Sequence, residues 1–149
     1  MTNEFEPVIF ALACNFCGYA GSDMAGVSRL QYPPNIRIVR VMCSGRFDPQ
    51  FALHALETGI DGVLVVGCHP GDCHYVDGNL KAERMFKISS KLLDAVGIDS
   101  ERLRLEWVSA SEGTKFQRVV TDFTNKLKEI GPNPLKKKER SVEVKVVAK

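Results

Sequence analysis

The sequence predicts a single α/β domain with a mostly parallel, four-stranded sheet and helices on both faces. Three observations predict it. Short apolar runs alternate with longer amphipathic stretches in the order βαβαβαβα, and stretches of that length suit crossovers between parallel strands. Each helical stretch runs into a glycine or proline break. Five cysteines fall in three clusters, Cys14 with Cys17, Cys43, and Cys68 with Cys73, each just after a strand candidate. Loops past the carboxyl ends of parallel strands share one edge and build the site there.

Residues 8–13 (VIFALA) form a continuous apolar run, the first strand, ending at Cys14. Residues 19–30 are rich in small side chains and read as a helix, with Ser22 or Asp23 as its cap; Tyr32-Pro-Pro-Asn35 then breaks the chain. Residues 36–42 (IRIVRVM) are the second strand, ending at Cys43. Asp48-Pro49 reads as a helix start, an N-cap followed by proline at the first helical position. That helix places Phe51, Ala52, Ala55 and Leu56 on one face and stops at Gly59. Residues 62–66 (GVLVV) are the third strand, leading to Gly67-Cys68 and a turn-rich Cys-His-Pro-Gly-Asp-Cys-His-Tyr segment. Asn79 is expected to cap a longer helix through Val96, with Leu80, Phe86, Leu92, Leu93 and Val96 on its apolar face and Gly97 at its end. Residues 103–109 (LRLEWVS) alternate as a fourth strand. Residues 114–130 carry Phe116, Val119, Val120, Phe123, Leu127 and Ile130 at helical spacing before Gly131-Pro132. The arrangement is flavodoxin-like in style, with the domain over residues 1–131 and a basic tail over 132–149.

Composition narrows the function. With 149 residues, 44% hydrophobic and 26% charged, the chain is long enough for one domain with a real core. It has no apolar stretch near the roughly 20 residues of a membrane helix. The acidic N-terminus lacks the basic region of a secretory signal, so the cytoplasm is expected, where thiols stay reduced. The net charge of +2 is uneven. Residues 135–149 carry +4, which leaves the body at −2 and gives no basic surface for nucleic acid. Within the tail, the alternating S-V-E-V-K-V-V reads either as a solvated end or as a strand that pairs with a partner's edge.

Several chemistries suit the cysteines. A lone cysteine is commonly a small buried hydrophobe, and Cys43 alone would carry that reading. Cys14-Asn-Phe-Cys17 is a C-x-x-C pair, which after a strand and before a helix suits a thiol–disulfide oxidoreductase. Four thiolates also suit zinc, with His69, His74 and Asp72 near for acid–base work. Two close pairs suit a 2Fe–2S cluster, which takes two thiolates per iron. On spacing, Cys14, Cys17, Cys68 and Cys73 are the favoured ligands with Cys43 adjacent, and all five are candidates. His69 and His74 each follow a cysteine directly, and adjacent side chains diverge, so mixed histidine ligation is set aside. They are expected to orient backbone, donate to sulfur or face a partner, whereas His54 belongs to a surface or packing position. A four-thiolate diferric cluster carries a formal charge of about −2, which Arg46, Lys81 and Arg84 are placed in sequence to offset. There is no G-x-G-x-x-G fingerprint and no P-loop. Gly67, Gly71 and Gly78 are expected in turns rather than around phosphates.

Three motifs carry a family resemblance: Cys14-Asn-Phe-Cys17-Gly-Tyr-Ala-Gly, Arg40-Val-Met-Cys43-Ser-Gly-Arg46, and Asp61-Gly-Val-Leu-Val-Val-Gly-Cys68-His-Pro-Gly-Asp-Cys73-His-Tyr. With these the chain resembles the delta subunit of methyl viologen-reducing hydrogenase from methanogens, through most of residues 5–130. Many relatives have Trp where this chain has Phe16. The resemblance implies a non-catalytic electron-transfer subunit with one 2Fe–2S cluster, working in a hetero-oligomer. Its implied partners are a nickel–iron hydrogenase small subunit, or formate dehydrogenase, and the flavin subunit of heterodisulfide reductase. The pathway so implied is flavin-based electron bifurcation in methanogenesis. A zinc-stapled adaptor and a C-x-x-C oxidoreductase remain the alternatives.

Overall fold

The structure, a computed structural model, describes residues 5–136. The alternating S-V-E-V-K-V-V stretch of the tail lies outside the described residues. Four strands, β1 (Ile9–Cys14), β2 (Ile36–Val41), β3 (Gly62–Gly67) and β4 (Leu103–Trp107), form one sheet in the order β2-β1-β3-β4. Every neighbouring pair is parallel, as the alternation predicts. Helices α1 (Gly18–Val27), α2 (Pro49–Glu57), α3 (Gly78–Ala95) and α4 (Gly113–Ile130) make the crossovers, with short 3₁₀ turns at Ser44–Arg46 and Ser100–Arg102. This all-parallel order is consistent with a flavodoxin-like fold.

Strand pleating divides the core in two. Ile9, Ala11 and Ala13 of β1 and Leu64 and Val66 of β3 face Ala25 of α1 and Phe116, Val119, Val120, Phe123 and Leu127 of α4. The intervening Leu12, Val63 and Val65 face Ala52, Ala55 and Leu56 of α2 and Leu93 of α3. Buried on both faces, β3 reads as an unbroken apolar run.

The Asp48-Pro49 start is as expected: Gln50 N–H donates to Asp48 Oδ1 at 2.9 Å. Gly59 (φ +100°) and Gly97 (φ +79°) turn the chain after α2 and α3 in the left-handed region. Two helix starts differ from expectation. Helix α1 begins at Gly18 with Cys17 in the N-cap position; Ser22 lies inside it, its hydroxyl donating to Tyr19 O at 2.6 Å. Asn79 does not cap α3, which starts at Gly78, and its side chain turns inward.

The apolar face expected for α3 is also corrected. Leu80, Leu92 and Val96 are exposed. The inward face runs through Ala82, Met85, Phe86, Ser89 and Leu93, where small residues hold positions that hydropathy underweights.

At the amino end of the sheet, fully buried Asp61 (0% exposed) joins distant segments. Its carboxylate accepts Val8 N–H at 2.9 Å, Asn133 N–H at 3.0 Å and Lys136 Nζ at 3.1 Å. Buried Arg102 donates to the carbonyls of Asp61, Gly131 and Pro132 at 2.9–3.0 Å.

Candidate metal centre at the carboxyl edge

Strand order places the site. The chain leaves β1 toward β2 on one side and returns to β3 on the other, so the crevice past β1 is a topological switch point. Cys14 is the last residue of β1, Cys17 is the N-cap of α1, Cys43 follows β2, and Cys68 follows β3. Cys73 sits in the turn between β3 and α3. All five are free thiols, and each has at least one other cysteine as a neighbour.

The contacts run across clusters. Cys14 Sγ lies 3.6 Å from Cys68 Sγ, and Cys43 Sγ lies 3.9 Å from Cys73 Sγ. Cys17 joins the buried group of Cys14 and Cys68. At a metal–sulfur distance of about 2.3 Å and tetrahedral angles, two thiolates on one ion stand about 3.8 Å apart. Each cross-cluster pair therefore spans the edge of a tetrahedral site. Among the described residues, no group of three or more His, Cys, Asp or Glu is arranged to hold one ion; the sulfurs are organised as pairs.

Backbone amides aim at these sulfurs. Gly18 N–H donates to Cys14 Sγ at 3.1 Å, and Gly45 N–H to Cys43 Sγ at 3.4 Å. Burial pushes the Cys73 thiol up, but amide donation by Tyr75, Asn79 and Gly78 outweighs it and leaves the thiol below its ordinary value. Two of these amides belong to the first turn of α3, where the helix dipole also favours an anion. Cys43 is raised, first by burial. Cys68 is raised more, by burial first and then by Cys17 and Cys14. Cys43 and Cys68 thus resist ionisation unless a cation shares the site.

Two glycines make the cradle. A Cβ on Gly78 would collide with Cys43 Sγ and stand 3.3 Å from Cys73 Sγ. A Cβ on Gly45 would stand 2.9 Å from Gly78 Cα, so the 3₁₀ turn and α3 approach backbone to backbone.

A surrounding layer fixes the loops. Asn79, fully buried, donates through Nδ2 to Cys68 O at 3.0 Å and His69 O at 2.9 Å. His69 Nε2 lies 2.7 Å from Glu112 Oε2, which also accepts Ser109 N–H at 2.7 Å. The Ser109 amide first, and His69 second, hold the Glu112 carboxyl down at about 2. Phe16 stacks on His74 with centroids 4.0 Å apart and meets Tyr75 edge-on. Beside Cys43, an open hollow of about 480 Å³ is lined by Val41, Met42, Gly45, Arg46 and Tyr75.

Two of the three cations expected around the sulfurs are engaged with other groups: Arg46 lies over the Phe51 ring at 5.3 Å, and Lys81 pairs with Asp77 at 3.3 Å. His54 is on the surface, 3.8 Å from Glu57. Sequence reading missed Asn79 and Glu112 as loop-holding residues. The Asn79 signal was present, since an Asn just past Gly78 marks a helix start, but the direction of its side chain was not.

Fold and site together define a doubly wound α/β domain with a thiol-lined crevice at its switch point. The chain belongs to the family of the methyl-viologen-reducing hydrogenase delta subunit, whose model matches residues 9–131. It is 54% identical over 132 residues to an F420-non-reducing hydrogenase iron-sulfur subunit of Archaeoglobus profundus, covering 89% of this chain and 96% of that protein. It is 53% identical over 136 residues to an F420-non-reducing hydrogenase vhc iron-sulfur subunit of Methanococcus voltae, covering 91% and 94%. It is also 43% identical over 145 residues to one subunit of the ferredoxin:CoB-CoM heterodisulfide reductase of Methanosarcina mazei, covering 96% of this chain and 18% of that longer protein.

Proposed function

We propose that this chain is an electron-transfer subunit that holds one 2Fe–2S cluster, with Cys14 and Cys68 on one iron and Cys43 and Cys73 on the other. The observation that carries this reading is the pair of sulfur contacts at 3.6 and 3.9 Å, each an edge of a tetrahedron. When bound, such a cluster accepts and returns one electron. The protein's part is to hold and tune it. Gly18 and Gly45 amides donate to ligand sulfurs, Asn79 fixes the Cys68 loop, and the Phe16–His74 stack ties the Cys73 turn to the start of α1. Cys17 is the spare thiol, packed against the inner pair.

The names of the relatives support a reading of the partners. Two relatives are hydrogenase iron–sulfur subunits, and one carries a matching segment inside a much longer heterodisulfide reductase polypeptide. We place this chain between a nickel–iron hydrogenase small subunit, or a formate dehydrogenase, and the flavin subunit of heterodisulfide reductase. There it serves flavin-based electron bifurcation in the cytoplasm. No helix among the described residues is long and apolar enough to cross a membrane. Exposed Met42, Tyr75 and Val76 lie at the Cys43–Cys73 side of the site and give a partner a short approach to its outer pair.

The test is the anaerobically purified chain, assayed for iron, zinc and acid-labile sulfide with its visible spectrum. Iron and sulfide in equal amounts, two of each per chain, are expected. A colourless protein with stoichiometric zinc would establish the adaptor reading instead. Turnover of a disulfide substrate that depends on Cys14 and Cys17 alone would establish the oxidoreductase.

A further inference from the structure

Ser44 follows Cys43 and opens the 3₁₀ turn Ser44–Arg46. It is 1% exposed, and its hydroxyl has no hydrogen-bond partner among the described residues. Buried polar groups are nearly always paired, so this hydroxyl calls for an explanation at the site.

Its position is defined by Gly67. A Cβ on Gly67 would stand 2.7 Å from Ser44 Oγ and 2.8 Å from Trp107 Cζ3. The hydroxyl therefore occupies the space above this glycine. Ala13 pairs with Val66 in adjacent strands, so the next residues, Cys14 and Gly67, are lateral neighbours. Leu12 and Val65, two residues earlier, both pack into the core under α2 and α3. With a strand period of two, Cys14 and the Gly67 Cα–H face that same side. Ser44 thus hangs over the face to which Cys14 points, directly follows Cys43, and covers the residue directly before Cys68.

We infer that Ser44 donates its hydroxyl proton in a hydrogen bond to a sulfur atom of the bound cluster and so raises the cluster's reduction potential. The inference rests on the cluster reading above. Reduction adds negative charge to the cluster, and a donor aimed at sulfur stabilises the reduced form more than the oxidised form. Gly67 leaves the room that the hydroxyl needs.

The test is Ser44→Ala, compared with the unaltered chain in an EPR-monitored redox titration and in thermal melts of the metal-free protein. Iron and sulfide content should be unchanged. The equilibrium constant for one-electron reduction should fall about tenfold, a midpoint potential lower by about 59 mV. Metal-free Ser44→Ala should melt at the same temperature or higher, because it loses a hydroxyl with no partner in the protein. Ser44→Cys, a weaker donor, should fall between the two in potential. A full cluster with an unmoved potential in Ser44→Ala would overturn the role of Ser44 and leave the cluster reading standing. A melting temperature far below that of the unaltered chain would overturn it too, by revealing a partner for the hydroxyl within the protein. Absence of iron and sulfide from the unaltered chain would overturn both readings.

Discussion

Cys43 and Cys73 are separated by 30 residues, yet their sulfurs lie 3.9 Å apart beside Gly78, whose missing Cβ leaves them room. One thiol comes from the end of β2 and the other from the turn after β3, so the contact bridges both flanks of β1. It changes the meaning of the five cysteines. The C-x-x-C pair and the Cys68–Cys73 pair suggest sequence neighbours sharing an iron, whereas each close contact joins one loop to another. A group held by both pairs would lock three loops at once.

The first prediction separates ligands from the spare thiol. Serine at Cys14, Cys43, Cys68 or Cys73 should abolish the visible absorption and most of the bound iron. Cys17→Ser should keep both, since the sulfur contacts at 3.6 and 3.9 Å join Cys14 to Cys68 and Cys43 to Cys73 and leave Cys17 as a further neighbour of Cys68. Iron and sulfide analysis of the five purified variants decides it. Loss on Cys17→Ser together with retention on Cys43→Ser would restore the pairing suggested by sequence spacing.

The second concerns the cradle. Gly78→Ala adds a methyl that collides with Cys43 Sγ and crowds Cys73 Sγ. The outer pair must then spread, and overpacking of this kind costs about 1–3 kcal/mol. Metal content should drop sharply while far-UV circular dichroism stays that of the unaltered chain. A fully loaded Gly78→Ala protein would show that the glycine is not needed to bring the two sulfurs together.

Much of the fold was legible because periodicity is local. The β1 and β3 runs, the Asp48-Pro49 start and the apolar stripe of α4 are each set by a few consecutive residues, and each is found. What failed depends on direction or on distant partners. Asn79 has the chemistry of a cap, but its amide turns inward to hold Cys68 O and His69 O. Leu80, Leu92 and Val96 look like core, but Ala82 and Ser89 pack closer and rotate them outward. That the cysteines gather at one edge followed from their places after strands. Which sulfur meets which depends on β1 lying between β2 and β3, and spacing within a cluster carries no trace of that order.

The third prediction is a control far from the thiols. Asp61 lies at the amino end of β3, and six residues of strand put it roughly 20 Å from the carboxyl edge. Its buried carboxylate pairs with Lys136 and accepts two backbone amides. Asp61→Ala leaves two backbone amides without their acceptor and the buried Arg102 guanidinium without a nearby anion, and each buried group so left costs about 1–3 kcal/mol. Urea unfolding should show that loss, while the folded fraction keeps an unchanged visible spectrum and midpoint potential. A shifted spectrum would mean that the two ends of the sheet are coupled.

The fourth follows from Glu112, whose carboxyl is held at about 2 by the Ser109 amide and by His69. A carboxylate with a depressed folded-state pKa stabilises the fold fully above its unfolded value of about 4.3. That contribution fades as pH falls toward the folded value. Glu112→Gln keeps an oxygen for the Ser109 amide but removes the charge. Because the side chain is about a third open to water, screening reduces the loss to about 1 kcal/mol at neutral pH. Urea unfolding of metal-free protein should therefore show a constant deficit for Glu112→Gln above pH ~5. The deficit should shrink between pH ~4.3 and pH ~2 and vanish below that. Its persistence at pH 2 would mean that the carboxylate acts through shape or packing rather than charge, and that the Ser109–Glu112–His69 chain holds the loop without an ionised link.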